Sequence, residues 1–279
     1  MRIDEALTTA KQHLKASSSD SIALDAELLL SFVLQKNRTY LYTWPEQILS
    51  QTEQTHYFEL ISRRIEGHPI AHIVGTREFW GMDFVVTPDT LIPRPDTEIL
   101  VETALEKMHS KNDQAWSFLD LGTGTGAIAC AIKASHPACQ ATAVDFQIKA
   151  LNVAKQNAKQ HQLTILFKQG SWFEPVKGQT FDLIVSNPPY IEEQDPHLTE
   201  GDVRFEPLTA LTSGKDGLKD IRMIIEQAPA YLNPRGWLMI EHGYNQHKAV
   251  QTLLKAQGFT AVESRLDYGQ NPRVTLGHL

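Results

Sequence analysis

Apolar residues recur at helical spacing through the first 66 residues, and no strand pattern interrupts them. The spacing predicts a helix near the start, a second after "SSSD" with Asp20 or Ser21 as its cap, and a third over about 51–65. Gly67 and Pro69 then end the periodic pattern. We therefore expect a small all-helical domain over residues 1–74. The apolar positions of its first helix are Ile3, Ala6, Leu7, Ala10 and Leu14.

The segment 75–94 has a different pattern, in which "FW" and "FVV" flank "GMD". Aromatic and β-branched residues on both sides of a short polar stretch predict a β-hairpin with "GMD" as its turn. Pro88 and Pro93 follow it, so the segment is typical of an ordered connector rather than a flexible linker. Pro95 suits the first position of the next helix.

From residue 117 onward, short apolar strands alternate with helical stretches, beginning with "SFLDLG", "ATAVD", "TILFK" and "FDLIVS". Strands separated by helices predict a mostly parallel sheet covered on both faces. We expect an α/β domain over residues 95–279, with a doubly wound, seven-stranded, mostly parallel sheet. In such sheets, ligands bind outside the carboxyl ends of the strands.

Composition narrows the classes of protein. Of the 279 residues, 42% are hydrophobic and the net charge is −7, which disfavours a protein that grips a nucleic-acid backbone. The one basic cluster, around Arg63 and Arg64, is interpreted as a solvated helix face. Cys130 and Cys139 lack metal-ligand spacing and indicate buried free thiols. No apolar run approaches the length of a membrane span. We expect a cytoplasmic protein without a metal site or a membrane segment, and nothing indicates an obligate dimer.

The loop after the first sheet strand, "DLGTGTGAIA", opens a helix with three glycines. It also satisfies the dinucleotide pattern G-x-G-x-x-A. Asp120, two residues before the loop, argues against a pyrophosphate, because two such charges 4 Å apart repel by about 4 kcal/mol at an effective ε near 20. The same carboxylate would attract the ammonium and sulfonium charges of S-adenosylmethionine. The alternative is that Asp120 only caps the helix. The predicted cofactor loop comprises Gly122, Thr123, Gly124, Thr125 and Gly126.

Two residues at the next strand ends fit the same cofactor. Asp145 ends the second strand, where a carboxylate can accept hydrogen bonds from both ribose hydroxyls. Trp172 follows the third strand and could cover one face of the adenine. The structural alternatives are a capping Asp145 and a core Trp172.

"NPPY" ends the fourth strand, which lies beside the first in the usual doubly wound order. Two prolines alone could simply terminate a strand. They also fix the backbone, so that Asn187 and Tyr190 would project toward the donor in one geometry. Asn187 and the Pro188 and Pro189 carbonyls offer acceptors for a planar NH₂ group, on whose π-system Tyr190 would stack. Such acceptors favour a pyramidal, nucleophilic nitrogen in the transition state.

The pairing "DLGTGTG…NPPY" resembles class I, S-adenosylmethionine-dependent amino-methyltransferases. Three further segments are similar to release-factor glutamine methyltransferases of the PrmC or HemK type: "GTREFWGMDFVVTPDTLIPRPDTE", "FEPLTALTSGKDGL" and "YGQNPRVTLG". The resemblance covers nearly the whole chain. It implies methyl transfer to the glutamine of the Gly-Gly-Gln loop of peptide-chain release factors, with S-adenosylhomocysteine as product. It also implies that the helical domain binds the release factor.

Carried over, the resemblance gives catalytic roles to Asn187, Pro188 and Tyr190, cofactor contacts to the glycine loop, Asp145, Trp172 and Asn187, and substrate contacts to residues 187–190. Three other functions stay open: an adenine-N6 nucleic-acid methyltransferase, a catalytically inactive scaffold and a nicotinamide dehydrogenase. The strongly acidic connection 191–217 disfavours the first. Arg94 is interpreted either as bordering the pocket or as pairing with Asp96 or Glu98, and His242 as a hydrogen-bonded strand-end histidine.

Overall fold

The computed structural model describes residues 1–17, 19–109 and 116–279. The chain divides into two compact units, and each is described by itself. The first comprises Met1–Thr76 and Pro196–Phe205, and the second comprises Arg77–Asp195 and Glu206–Leu279. In the described part of the chain, no helix is long and apolar enough to cross a membrane.

The first unit is helical. Its elements are α1 (Ile3–Leu14), α2 (Ile22–Leu34), α3 (Arg38–Thr43), α4 (Gln51–Ile65) and α5 (Ile70–Val74). All five predicted apolar positions of α1 are buried, and they pack with the buried residues of α2 and α4 in one core. Sequence periodicity missed α3 and α5, because helices of five or six residues are too short to show a repeating apolar stripe.

The interpretation of Arg63 and Arg64 as a solvated face is wrong for Arg64. Its side chain is 10% exposed, with Nε 2.7 Å from Asp25 Oδ2 and Nη1 2.8 Å from Asp202 Oδ1. Arg63 is exposed. Asp202 lies in the segment Pro196–Phe205 of the acidic connection, which belongs to the helical unit. Buried charges are found paired because isolated ones cost too much to desolvate.

The connector is a hairpin of β1 (Thr76–Phe79) and β2 (Met82–Val85). The residues between the two strands are Trp80 and Gly81, both with positive φ. The predicted turn "GMD" is therefore misplaced, since Met82 and Asp83 lie in the second strand. A short 3₁₀ turn, Pro95–Thr97, then leads into α6 (Glu98–His109).

The predicted fold class is confirmed. Among the described residues, a seven-stranded sheet has the order β5-β4-β3-β6-β7-β9-β8, with only β9 antiparallel to its neighbours. Its strands are β3 (Ser117–Leu121), β4 (Gln140–Asp145), β5 (Leu166–Gln169), β6 (Phe181–Ser186), β7 (Leu232–Glu241), β8 (Thr260–Leu266) and β9 (Pro272–His278). The remaining helices are α7 (Ala127–Ser135), α8 (Ile148–Gln160), α9 (Lys219–Gln227) and α10 (His247–Ala256).

Strand order places the motifs together. β3 pairs in parallel with both β4 and β6, so the residues that follow these three strands lie at one edge of the sheet. Two apolar cores contain alternate residues of the strands: Phe118 lies in one and Leu119 in the other. The predicted site therefore has a rigid support on both faces.

Candidate active site

A cavity of about 580 Å³ opens at the carboxyl ends of the strands, and all its lining residues belong to the second unit. This volume lies within the range of small-molecule sites, roughly 300–1,000 Å³. Of the predicted site residues, eight line it: Gly122, Thr123, Gly124, Thr125, Asp145, Trp172, Asn187 and Pro189. Asp120, Gly126, Pro188 and Tyr190 are not among the lining residues.

The glycine loop folds against the end of β4. The N–H groups of Gly122 and Thr123 both donate to Val144 O, at 2.9 and 3.0 Å. Gly122 has φ +72°, and a Cβ added there would lie 3.4 Å from the Trp172 ring. A side chain at this position would be strained and would narrow the cavity between loop and indole. The backbone of the loop thus borders the cavity without side chains at Gly122 and Gly124, and its contact with a cofactor stays a prediction.

Asp120 lies beneath the loop rather than in the cavity. It is fully buried and accepts a 2.6 Å hydrogen bond from the hydroxyl of Thr123, which does line the cavity. Burial raises its pKa to about 7, against the effect of the Thr123 bond, and the nearby Asp145 also raises it. Any influence of Asp120 on a cationic ligand is therefore exerted from behind Thr123.

Asp145 at the end of β4 joins two loops. Its Oδ2 accepts the Gly124 N–H and its Oδ1 accepts the Gln147 N–H, both at 2.8 Å. Burial raises its pKa, and these two N–H donors act in the opposite direction. The carboxylate therefore fixes the glycine loop and also borders the cavity, and its contact with a ribose stays a prediction.

Trp172 lines the cavity next to Gly122. It is partly buried, packs on one of the sheet cores and lines the cavity, and its contact with an adenine stays a prediction. Its φ is +43°, a left-handed value that is uncommon for a bulky side chain. Residues in such conformations cluster at functional sites.

The Asn-Pro-Pro-Tyr turn follows β6 beside the glycine loop. Ser186 Oγ donates to Leu121 O at 2.8 Å, which joins the ends of the two strands. Asn187 Nδ2 donates to Thr97 Oγ1 at 3.2 Å. At the far end of the turn, Tyr190 N donates to Leu211 O at 3.2 Å, and Gln246 Nε2 donates to Tyr190 O at 3.0 Å. The turn is thus held at both ends by residues distant in sequence.

The Tyr190 side chain packs against the core on one face of the sheet. Burial raises its pKa, and the nearby charge of Glu241 also raises it, while Arg273 acts in the opposite direction. Its predicted stacking on a substrate amide stays a prediction.

The sequence did not identify Thr97 or Glu241. Thr97 is buried and lines the cavity, whereas Glu241 is buried next to it at the end of β7. Burial raises the pKa of Glu241 to about 7, while the neighbouring side chains of Thr97 and Asn187 and the charge of Arg273 act in the opposite direction. Its Oε2 atom is buried and has no hydrogen-bond partner among the described residues. The sequence signal for Glu241 is its strand-end position in "EHG", next to His242.

That histidine, His242, has both ring nitrogens occupied, by Thr275 Oγ1 at 2.6 Å and Gly243 O at 2.9 Å. Burial lowers its pKa to about 4, so it is neutral at pH 7. The geometry agrees with a hydrogen-bonded strand-end histidine and gives it no contact with the cavity.

Arg94 lines the cavity, but its partner differs from both predicted ones. Its guanidinium pairs with Glu206, a fully buried carboxylate that also accepts the Ile92 N–H at 2.9 Å. Asp96 instead contacts Arg273. Residues 94 and 206 are 112 positions apart, so neighbouring carboxylates were the only partners that the sequence could suggest.

Within the described ranges, no group of three or more His, Cys, Asp or Glu side chains is arranged to hold a metal ion. Cys130 and Cys139 are both buried and free. Burial raises the pKa of Cys130 to about 12, which makes its thiol unreactive.

Comparisons with known proteins agree with this architecture. A family model for the PrmC N-terminal domain matches residues 5–75, and one for the methyltransferase small domain matches residues 95–202. The chain is 49% identical over 279 residues to a release factor glutamine methyltransferase of Aliivibrio fischeri, covering 99% of this chain and 97% of that protein. A protein of the same name from Vibrio cholerae is 50% identical over 277 residues, covering 99% and 96%. In fold, the chain resembles a Pyrococcus furiosus methyltransferase, with a TM-score of 0.54, 17% identity and coverage of 78% and 96%.

Proposed function

The chain belongs to the release factor glutamine methyltransferase family, and on that premise we propose its reaction. It transfers a methyl group from S-adenosylmethionine to the side-chain amide nitrogen of the glutamine in the Gly-Gly-Gln loop of peptide-chain release factors, and so modulates translation termination. The observation that carries the proposal is that Asn187 and the glycine loop line the same cavity. The NH₂ group of Asn187 donates a hydrogen bond to Thr97.

The cavity suits S-adenosylmethionine. Gly122, whose missing Cβ leaves space against the indole of Trp172, supports close approach of a ligand to the backbone. In this proposal Asp145 accepts hydrogen bonds from the ribose hydroxyls and Trp172 covers one face of the adenine; both side chains line the cavity. When bound, the cofactor supplies an electrophilic methyl carbon. The product is S-adenosylhomocysteine.

The chain's own residues act on the amide. The glutamine nitrogen is a weak nucleophile because its lone pair is conjugated with the carbonyl, as the rotation barrier of about 18–20 kcal/mol shows for peptide amides. Asn187 Oδ1 and the Pro188 carbonyl accept the two N–H hydrogens and favour a pyramidal nitrogen as the new C–N bond forms. The rigid turn holds the nitrogen in line for attack. No strong base is required first, since the proton leaves after the bond has formed.

The helical unit is proposed to bind the body of the release factor, away from its loop. In support, this unit coincides with the match to the PrmC N-terminal domain at residues 5–75. It also exposes large apolar side chains at the end of α3 and between α3 and α4, since Tyr42 is 64%, Trp44 52% and Ile48 74% exposed.

The adenine-N6 reaction is not favoured. It would need a basic surface for a nucleic-acid backbone. The chain carries a net charge of −7, and the curated relatives are named for glutamine methylation. The scaffold alternative fits poorly with an intact glycine loop and turn.

The deciding experiment incubates the protein with labelled S-adenosylmethionine and purified release factor, followed by peptide mapping with mass spectrometry. Asn187→Ala and a release factor lacking the loop glutamine are the negative controls. Asn152→Ala, an exposed asparagine on α8, is the matched control that should keep activity. We expect one methyl group on the loop glutamine. Label on added DNA alone would favour the adenine reaction, and failure to bind the cofactor in calorimetry would favour the scaffold.

A further inference from the structure

The orientation of the Asn187 amide determines whether the proposed reaction is possible. Its Oδ1 can accept a hydrogen from a substrate NH₂ group, whereas its Nδ2 would meet that group donor to donor. A side-chain amide can rotate by 180° at almost no change in shape, so neighbouring groups must select one orientation. Thr97 alone cannot select it, because a hydroxyl both donates and accepts.

Glu241 is the neighbour that can discriminate. In the parallel pairing of β6 with β7, Ser186 lies opposite Ile240, so the next residues along the two strands are Asn187 and Glu241. The Glu241 side chain is buried and does not line the cavity, and Thr97 and Asn187 are among the neighbours that act on its pKa. An ionised carboxylate only accepts hydrogen bonds. It therefore favours the orientation in which Asn187 Nδ2 points toward the carboxylate.

The hydrogen bonds agree with this orientation. Asn187 Nδ2 donates to Thr97 Oγ1 at 3.2 Å. The side chains of Thr97 and Asn187 both lie close enough to Glu241 to lower its pKa, and in the described part of the chain the buried Glu241 Oε2 has no hydrogen-bond partner of its own. One N–H of the amide is thus directed at the Thr97 hydroxyl, and in this orientation the other N–H is available to the carboxylate while Oδ1 is left for the cavity, which Asn187 lines. Rotation by 180° would direct Oδ1 at the carboxylate oxygens, which repel it whenever Glu241 is ionised.

We propose that Glu241 is a positioning residue for the methyl transfer: its carboxylate fixes the Asn187 side-chain amide with Oδ1 facing the acceptor nitrogen. This inference rests on the proposed function, because it assigns Asn187 the role of acceptor. Glu241 itself does not touch the substrate in this arrangement; it acts through Asn187.

The kinetic test replaces Glu241 with glutamine, which keeps the shape but can donate as well as accept. We expect kcat for release-factor methylation to fall about 10- to 100-fold, the effect of losing one charge-assisted hydrogen bond, with little change in KM. Cofactor affinity should stay within about twofold of the wild-type value, since Glu241 lies outside the cavity. Asp182→Asn, which removes a carboxylate from the opposite end of β6, should keep kcat.

A double mutant separates positioning from general destabilisation. Because Glu241 acts through Asn187, Glu241→Gln should add almost nothing to the loss in Asn187→Ala. Additive losses, or a kcat of Glu241→Gln within about twofold of wild type, would overturn the proposal.

A second measurement does not need methylation. The side-chain NH₂ signals of Asn187, identified by their disappearance in Asn187→Ala, should shift with pH in the wild-type protein and follow a group that titrates near pH 7. The charged groups near Glu241 are Arg273 and Asp96. The pH-dependent change of the Asn187 signals is assigned to Glu241 only if it is absent in Glu241→Gln. Asn187 signals that do not respond to pH in the wild type would overturn the contact. If the Asn187 signals of the wild-type protein respond to pH but the protein does not methylate the release factor, the proposed function is overturned and the contact is not.

Discussion

Gly217 packs directly against the Asn-Pro-Pro-Tyr turn, and its replacement by alanine tests how rigidly that turn must be held. Gly217 has φ +68°, and a Cβ added there would lie 2.2 Å from Tyr190 O and 2.8 Å from Gln246 Nε2. Gln246 is the residue that donates to Tyr190 O at 3.0 Å. The added methyl group would therefore collide both with the backbone of the turn and with the side chain that hydrogen-bonds to it.

Two effects add. An alanine in the left-handed region costs about 1–2 kcal/mol wherever it occurs. The contact at 2.2 Å is with backbone, which cannot swing aside like a flexible side chain, so the turn must shift by roughly 1 Å to restore ordinary packing. Misplacement of a reacting group by about 1 Å can cost 10²-fold in rate. We expect kcat for Gly217→Ala to fall about 100-fold.

Gly178→Ala is the matched control. Gly178 has φ +80° but no atom within 4 Å of an added Cβ, so it carries the left-handed cost without the collision. Both variants should lose stability in thermal unfolding, Gly217→Ala by more. Only Gly217→Ala should lose kcat, and its cofactor affinity measured by calorimetry should change little. Equal stability losses with normal kcat in both variants would refute the argument that the turn needs this contact.

Three further predictions follow from buried carboxylates. Asp145→Asn should weaken cofactor binding about tenfold or more, measured by calorimetry, because an amide cannot accept both loop N–H bonds that Asp145 accepts. The pKa of Asp120 is about 7 in the folded protein and 3.8 in the unfolded chain, so between these values the folded protein holds a proton that the unfolded chain has released. The free energy of unfolding therefore declines as the pH rises from about 4 to 7. Asp120→Asn should have a higher melting temperature than wild type at pH 8 but not at pH 4. Arg64→Met should lower the free energy of unfolding by about 3–5 kcal/mol in chemical denaturation, because it leaves the buried Asp25 without its ion-pair partner. Arg63→Met should change the free energy of unfolding by almost nothing.

Each of these predictions has a contrary result. Unchanged cofactor affinity in Asp145→Asn would mean that the loop holds its shape without the carboxylate. Equal effects of Asp120→Asn at both pH values would show that Asp120 titrates normally in the folded protein. Similar losses in the two arginine variants would refute the role assigned to the Arg64 ion pair.

Much of the site was predictable because its parts are local. The residues 122–126 follow a strand and open a helix, and 187–190 end another strand; both patterns occupy a few consecutive residues. Alternation of strands and helices then required a parallel sheet, whose chain order placed β6 beside β3. The predicted meeting of the glycine loop and Asn187 at one cavity follows from these two facts.

Only the tertiary structure decided which charges meet. Arg94 pairs with Glu206, 112 positions away, and Arg64 reaches Asp202, 138 positions away. A charged residue in a sequence has many possible partners at such separations, and packing selects among them. Neighbours in sequence were a poor guide for this reason.

The tertiary structure also decided how far each acidic residue is removed from water. Asp120, Asp145 and Glu241 look alike in the sequence, as carboxylates at strand ends, yet one lies under the loop, one borders the cavity and one stands behind the turn. Their pKa values and roles differ because desolvation depends on everything packed around a group. The sequence by itself determined the fold and the position of the motifs, because periodicity and turn chemistry act over a few residues. The electrostatics of the site required the complete three-dimensional packing.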